Sequence, residues 1–410
     1  MSRFKNDGMT NTSSPTARSS APARLPISAL LALATSGFLT VMLETMPAGV
    51  LPALSRDMGV EEATAGQTVT IYALGALLGA IPIISATMGW PRRRLLLMAL
   101  SGYILTSLIV AVSPVFAVTL AARFIAGIFA GVLWGILAGY VSRIVDPRQR
   151  GRALTIGLSG TPIALAFGTP AGTLLASAVG WRLTFVTMAI ITAAVVVWVL
   201  AVVRPLPGQE RHERTNALQA LRIPGVLPVI AVALLFFSGH ALLYTYIAPF
   251  LSLAGIGDSV SAMLLVFGVS ALVGLWTTGL LIDRHLRLLM LITTAVLALA
   301  VLVLGLATSS PIAIITSIAA WGVAFGGSGT LQQTALTNAS GTAVDAAQSV
   351  LVTGLNLGIA LGGVLGGLVL TGIGAGALPF ATLVLMLLVL VIVAAGRRHA
   401  FPTRHLTDRS

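Results

Sequence analysis

The sequence contains no cysteine and only one lysine, Lys5. Without cysteine there can be no disulfide, thiolate metal site or sulfur nucleophile. Without an internal lysine there is no GxxxxGK[ST] phosphate loop, so ATP-driven work by this chain alone is excluded. The five histidines are scattered, and no metal-binding constellation is present. Charge is also scarce. Charged residues make up 9% of the 410 residues, against roughly 25% in an ordinary soluble domain. The 43 glycines have no period of three, which excludes a collagen-like chain. Apolar residues reach 57%, which excludes disorder. What is present is a chain whose solvent is mostly lipid.

A membrane-spanning helix needs about 20 mostly apolar residues. That criterion predicts spans near 27–50, 64–87, 94–112, 115–141, 153–178, 183–203, 226–250, 259–282, 288–307, 311–336, 342–371 and 376–396. The fifth, tenth and eleventh are interrupted by Gly, Pro and polar residues. The basic residues test this division. With both termini cytoplasmic, 21 of the 24 Lys and Arg residues lie in cytoplasmic segments. Only Arg56 and Arg182 fall in outer loops, and Arg123 lies inside a span. This is the positive-inside pattern. It accounts for the net charge of +12 without nucleic acid.

The expected architecture is an all-α integral membrane protein of twelve helices in two pseudo-symmetric six-helix halves. Residues 1–24 are expected to form a disordered cytoplasmic tail and 25–203 the first half. A cytoplasmic linker follows at 204–225, then the second half at 226–396 and a tail at 397–410. Six plus six spans around such a linker is the layout of parallel-repeat transporters. The short outer loops leave no room for an extramembrane catalytic domain, so an enzyme is not expected.

Several local patterns fall in order along this frame. Glu44-Thr45-Met46-Pro47-Ala48-Gly49-Val50-Leu51-Pro52 lies at the outer half of span 1, and Arg123-Phe124-Ile125-Ala126-Gly127 lies in span 4. Arg150-Gly151-Arg152 follows that span. Span 5 carries Gly157, Gly160, Gly168, Pro170 and Gly172. Gly279-Leu280-Leu281-Ile282-Asp283-Arg284 joins spans 8 and 9, whereas its first-half counterpart, Met88 to Arg94, lacks the Asp. With these motifs the chain resembles the major facilitator superfamily. Within it, the chain looks like the twelve-span drug:proton antiporters and related sugar or nucleoside exporters of bacteria. The resemblance implies a multi-pass protein of the bacterial inner membrane, expected as a monomer. It also implies transport driven by the proton gradient, with no other cofactor.

Glu44 is the sharpest residue, an acid well inside an apolar span. A charge at that depth costs about 2.5–3.5 kcal/mol on insertion scales and usually marks an ion or substrate path. It either couples protons or hydrates near the outer interface. Arg123 either modulates that site, as the resemblance implies, or tethers helices by hydrogen bonds. His240 and Tyr244, four residues apart on span 7, share one face. Trp321, Phe325, Ser328 and Gln332 share a face of span 10, and Ser349, Thr353 and Asn356 a face of span 11. With Tyr72 and Trp134, these side chains are candidate contacts for a small-molecule substrate, or else packing and interhelical bonds. Gly160, Gly168, Pro170 and Gly172 are expected to form a packing seam with a bend, with a role in alternating access implied by the resemblance. Gly279, Asp283 and Arg284 form either a cytoplasmic latch or a solvated loop. The function expected is proton-coupled export of a drug-like compound, with export of a sugar or purine nucleoside as the alternative.

Overall fold

The computed structural model describes residues 25–87, 89–146, 149–207, 221–341, 344–397 and 400–401. The expected N-terminal tail, most of the linker and the end of the C-terminal tail lie outside these residues. Every regular element described is helical. In lipid a helix satisfies its own backbone, and long apolar stretches without water leave few other options.

The first part of the chain comprises α1 (Ile27–Gly49), α2 (Leu51–Met58), α3 (Glu62–Ala86), α4 (Arg92–Val112) and α5 (Phe116–Arg143). The expected fifth span is not one regular helix. It is built from α6 (Arg150–Gly157), α7 (Gly160–Ile163), a π-helical turn (Ala164–Gly168) and α8 (Thr169–Val179). Gly180, at φ 87°, turns the chain into α9 (Trp181–Val202). The later part holds α10 (Val226–Thr245), α11 (Ile247–Leu253), α12 (Val260–Leu306), α13 (Pro311–Gly326), α14 (Ser328–Ser340), α15 (Val344–Gly372) and α16 (Leu378–Ala395).

Eleven helical segments among the described residues are long and apolar enough to cross a membrane. The 25-residue α3 occupies the place of the second expected span. Other boundaries differ from the sequence expectation as well, and span 7 is broken at Tyr246. Spans 8 and 9 run together as α12, broken only by the non-helical backbone of His285 at φ −134° and ψ 30°. Span 10 is divided at Gly327 into α13 and α14. Neighbouring glycines there offer the least resistance to a break.

Helices α3, α4, α5 and α9 pack together with α1, and α10, α12, α13, α15 and α16 form a second set. The two sets meet where α3 runs along α15, and where the π turn and α8 lie against α12. Close approach at these seams depends on missing side chains. A Cβ on Gly127 would sit 1.9 Å from the Tyr72 carbonyl of α3, and one on Gly268 would sit 2.3 Å from Ala166 Cα. Such backbone proximity is how helices gain contact area in lipid.

Candidate functional site

The first cluster is built on α1, α3 and α5. Pro47 has no N–H, so the carbonyl four residues earlier, that of Leu43, loses its usual helical donor. Arg123 reaches across from α5 and supplies one. Its Nη1 donates to the Leu43 carbonyl at 2.5 Å, Nη2 to the Glu44 carbonyl at 3.2 Å and Nε to the Thr68 carbonyl at 3.1 Å. The guanidinium also lies 4.4 Å over the Tyr72 ring. A buried cation needs such a shell, and arginine's fixed fork of donors provides it with little reorganisation. Arg123 is 2% exposed.

Arg123 therefore meets the backbone of Glu44 and not its carboxylate. An ion pair does join Arg182 to Asp57, at 2.9 Å. No hydrogen bond to the Glu44 carboxyl is found among the described residues, and the residue keeps partial exposure. Tyr72 donates to the Thr40 carbonyl at 3.2 Å, and Tyr103 to the Thr40 hydroxyl at 3.2 Å. A cavity of about 10 Å³ lies between Arg123, Thr106, Ser107 and Phe185, room for about one water molecule. The neighbour of Glu44, Thr45, shares a 2.6 Å hydroxyl–hydroxyl bond with Thr169 at the head of α8.

The second cluster is aromatic and lies on α10, α12 and α13. The His240 ring stacks on Phe325 at 3.8 Å, with Tyr244 at 5.0 Å, Trp321 at 5.5 Å and Phe267 at 5.7 Å. Phe236 and Phe237 extend it over Phe325. All of these rings are buried except Phe237, which is partly so. Several of the polar atoms here lack partners: His240 Nδ1, the Trp321 indole nitrogen and the Tyr244 hydroxyl. Both amide atoms of the fully buried Gln332 on α14 and the Ser238 hydroxyl are unpartnered as well. The Tyr244 hydroxyl is directed at Thr169 without reaching full hydrogen-bond geometry.

Of the candidates named from the sequence, the structure brings together Arg123, Tyr72 and the backbone of Glu44. It also brings together His240, Tyr244, Trp321 and Phe325. Others stand apart. Trp134 packs beside Gly37 on α1. Asn356 donates to the Val352 carbonyl of its own helix at 3.0 Å. Phe236 and Phe237 were missed although they precede His240 by four and three residues, the spacing of one helical face. Phe267 had no local signal, because its place depends on how α12 crosses α10.

The span 5 residues form the expected seam. A Cβ on Gly160 would meet the Ala34 carbonyl at 1.9 Å, one on Gly168 the Phe38 ring at 3.0 Å, and one on Gly172 the Met42 methyl at 3.0 Å. Pro170 is buried just after the π turn. At the loop between spans 8 and 9, Gly279 faces open space and Arg284 is exposed. The side chain of Asp283 lies outside the described residues, as do those of Arg150, Gly151 and Ser349. The anchoring arginine at this end is Arg287, which donates to the carbonyls of Phe401 and Ala394 at 3.0 Å each.

Comparison with known proteins follows the same lines. The chain is 28% identical to the purine ribonucleoside efflux pump NepI of Escherichia coli (strain K12) over 357 residues, covering 87% of this chain and 90% of that protein. The NepI of Shigella flexneri matches at the same 28% identity and the same coverage. Among solved structures, a mutant of the nucleoside transporter NupG superposes with a TM-score of 0.74 at 13% identity, over 90% of this chain and 99% of that one. A bacterial homologue of the human lysosomal transporter Spinster, inward-facing and unoccupied, gives 0.69 at 17% identity, over 94% and 99%. The profile of the Major Facilitator Superfamily matches residues 33–344. A helical bundle of this kind, with that match over most of its length, makes the chain a member of the major facilitator superfamily of membrane transporters.

Proposed function

We propose that the protein exports a purine-nucleoside-like molecule across the bacterial inner membrane in exchange for protons. In this reading it works as a twelve-span monomer with both termini in the cytoplasm. The observation that carries the substrate reading is the aromatic cluster with its unpartnered polar atoms. A buried donor or acceptor left without a partner costs about 1–3 kcal/mol, and a stack of rings offers large, flat apolar area. A planar heteroaromatic guest answers both. Its face replaces a ring–ring contact such as His240 on Phe325, and its ring nitrogens and exocyclic groups meet Trp321, His240, Tyr244 and Gln332. The names of the relatives favour nucleosides over drug-like compounds, which displaces the drug reading of the sequence to second place.

Proton coupling is assigned to Glu44. Arg123 is held by three carbonyls and a ring, and makes no ion pair with the carboxylate. The carboxyl is therefore available to gain and lose a proton. Thr45 and Thr169 connect its neighbourhood to Tyr244 and hence to the aromatic cluster. Cargo in the cluster and a proton on Glu44 would then favour opposite facing states, each shifting the equilibrium only by its differential affinity.

The test is efflux from proteoliposomes with an imposed pH gradient. A labelled purine ribonucleoside is expected to leave the vesicles faster with the gradient than without it, and an amphenicol much less so. Preference for the amphenicol would restore the drug reading. Nucleoside efflux indifferent to an uncoupler would remove the proton step.

A further inference from the structure

The two helix sets are joined by hydrogen bonds at the ends of their helices that lie away from the arginine clusters. Gln67, near the start of α3, donates from Nε2 to the Tyr246 hydroxyl at 3.1 Å and to the Gly363 carbonyl of α15 at 3.3 Å. The Tyr246 hydroxyl in turn faces the Ala63 carbonyl at 3.2 Å and the Gly363 carbonyl at 3.0 Å. Tyr246 is fully buried. Its ring lies between two glycines. A Cβ on Gly66 would be 2.2 Å from it and one on Gly366 2.7 Å. One turn deeper, a Cβ on Gly363 would sit 2.1 Å from the Thr70 hydroxyl.

Three features make this a closure that can open. The bonds are neutral and run to backbone carbonyls or between two side chains, so each holds the ends together by only about 0.5–1.5 kcal/mol net of water. The faces around them are glycine-lined, so nothing interlocks when they part. Tyr246 also sits at a break in its span, between α10 and α11, with φ −110° and ψ 26°. Backbone breaks of this kind absorb the rotation of a hinge. By contrast, the arginine bonds at the other end stay within their own set. Arg93 donates to the Leu200 carbonyl, Arg143 to that of Pro207, and Arg287 to those of Phe401 and Ala394.

We propose that Tyr246 and Gln67 are positioning residues of the transport cycle, forming a latch with the Gly363 and Ala63 carbonyls that holds the exit end shut. The latch breaks when that end opens. It rests on the proposed orientation and direction of export, and not on the identity of the cargo or on Glu44.

The absence of cysteine gives a silent background for thiol chemistry. Thr70→Cys places one thiol under the latch, where it is covered in the present state. Labelling of this variant by a membrane-impermeant maleimide is compared in right-side-out and inverted vesicles, alone and combined with Tyr246→Phe or Gln67→Leu. Each second substitution is expected to raise labelling from the extracytoplasmic side by about five- to tenfold, the shift expected from losing one or two buried hydrogen bonds. Tyr140→Phe, which removes the bond from a buried tyrosine to the Arg204 carbonyl, is the control and should leave labelling unchanged. Tyr246→Phe keeps the ring between its glycines, and Gln67→Leu gives an independent reading if that variant is not produced. Unchanged labelling in the latch variants overturns the proposal. So does an equal rise in the Tyr140→Phe control, which would report general loosening.

Discussion

The two buried polar clusters differ in how completely their polar groups are satisfied. Around Arg123 the cation's three types of nitrogen each find a carbonyl, one of them left open by Pro47. Around His240 the rings are tightly stacked, but His240 Nδ1, the Trp321 nitrogen and the Tyr244 hydroxyl find no partner among the described residues. The first is a joint between helices, complete without any ligand. The second holds polar groups at a cost that nothing among the described residues returns. A buried charge can thus be answered by backbone alone, whereas an unanswered polar group leaves room for a partner from outside the chain.

Several experiments would break or sharpen that contrast. Arg123→Ala strips the donor from the Leu43, Glu44 and Thr68 carbonyls, and is expected to cost about 1–3 kcal/mol for each buried acceptor left without a partner. Thermal unfolding in detergent should show it as a large fall in Tm with loss of all transport. Glu44→Gln should behave otherwise. Stability should stay within about 0.5 kcal/mol, while gradient-driven efflux falls more than tenfold; retained coupled efflux would end the Glu44 assignment. In the aromatic cluster, Trp321→Phe keeps the ring but removes the indole donor. Loss of one hydrogen bond to cargo, about 1–1.5 kcal/mol, raises KM roughly tenfold with Tm nearly unchanged. Gln332→Leu is the most discriminating. Replacing an unpartnered buried amide by an apolar side chain should raise stability by about 0.5–1 kcal/mol and weaken cargo binding in a calorimetric titration. A fall in stability would mean that Gln332 serves the fold. The smallest effect is expected at Asn356→Ala, whose amide only bonds its own helix; stability and KM should both stay within about 0.5 kcal/mol of the parent.

Much of the helical frame is legible in the sequence, because apolar length alone decides where a chain can cross lipid. The breaks are less so. The join of spans 8 and 9 into α12 turns on one residue, His285. The division at Gly327 was visible only as a run of glycines. Helical spacing placed His240 with Tyr244, and Trp321 with Phe325, but not the four together. Their meeting depends on how α10 and α13 cross. The partner of Arg123 was out of reach for a different reason. A carbonyl vacated by a proline on another helix leaves no mark in the residues around the arginine. Nor does the local sequence mark the carbonyls of Phe401 and Ala394 that Arg287 meets.

The π turn at Ala164–Gly168 has a geometric consequence for the seam on α1. A regular helix turns about 100° per residue. Over the twelve residues from Gly160 to Gly172 the two would then point about 120° apart, and only one could face α1. A π turn absorbs one residue. The net offset shrinks to about 20°, and Gly168 falls within a similar margin on the other side. One inserted residue therefore aligns three glycines, so that Ala34, Phe38 and Met42, four apart on α1, each find a hollow opposite. Deleting a single residue from this turn would rotate everything beyond it, including Thr169, away from Thr45.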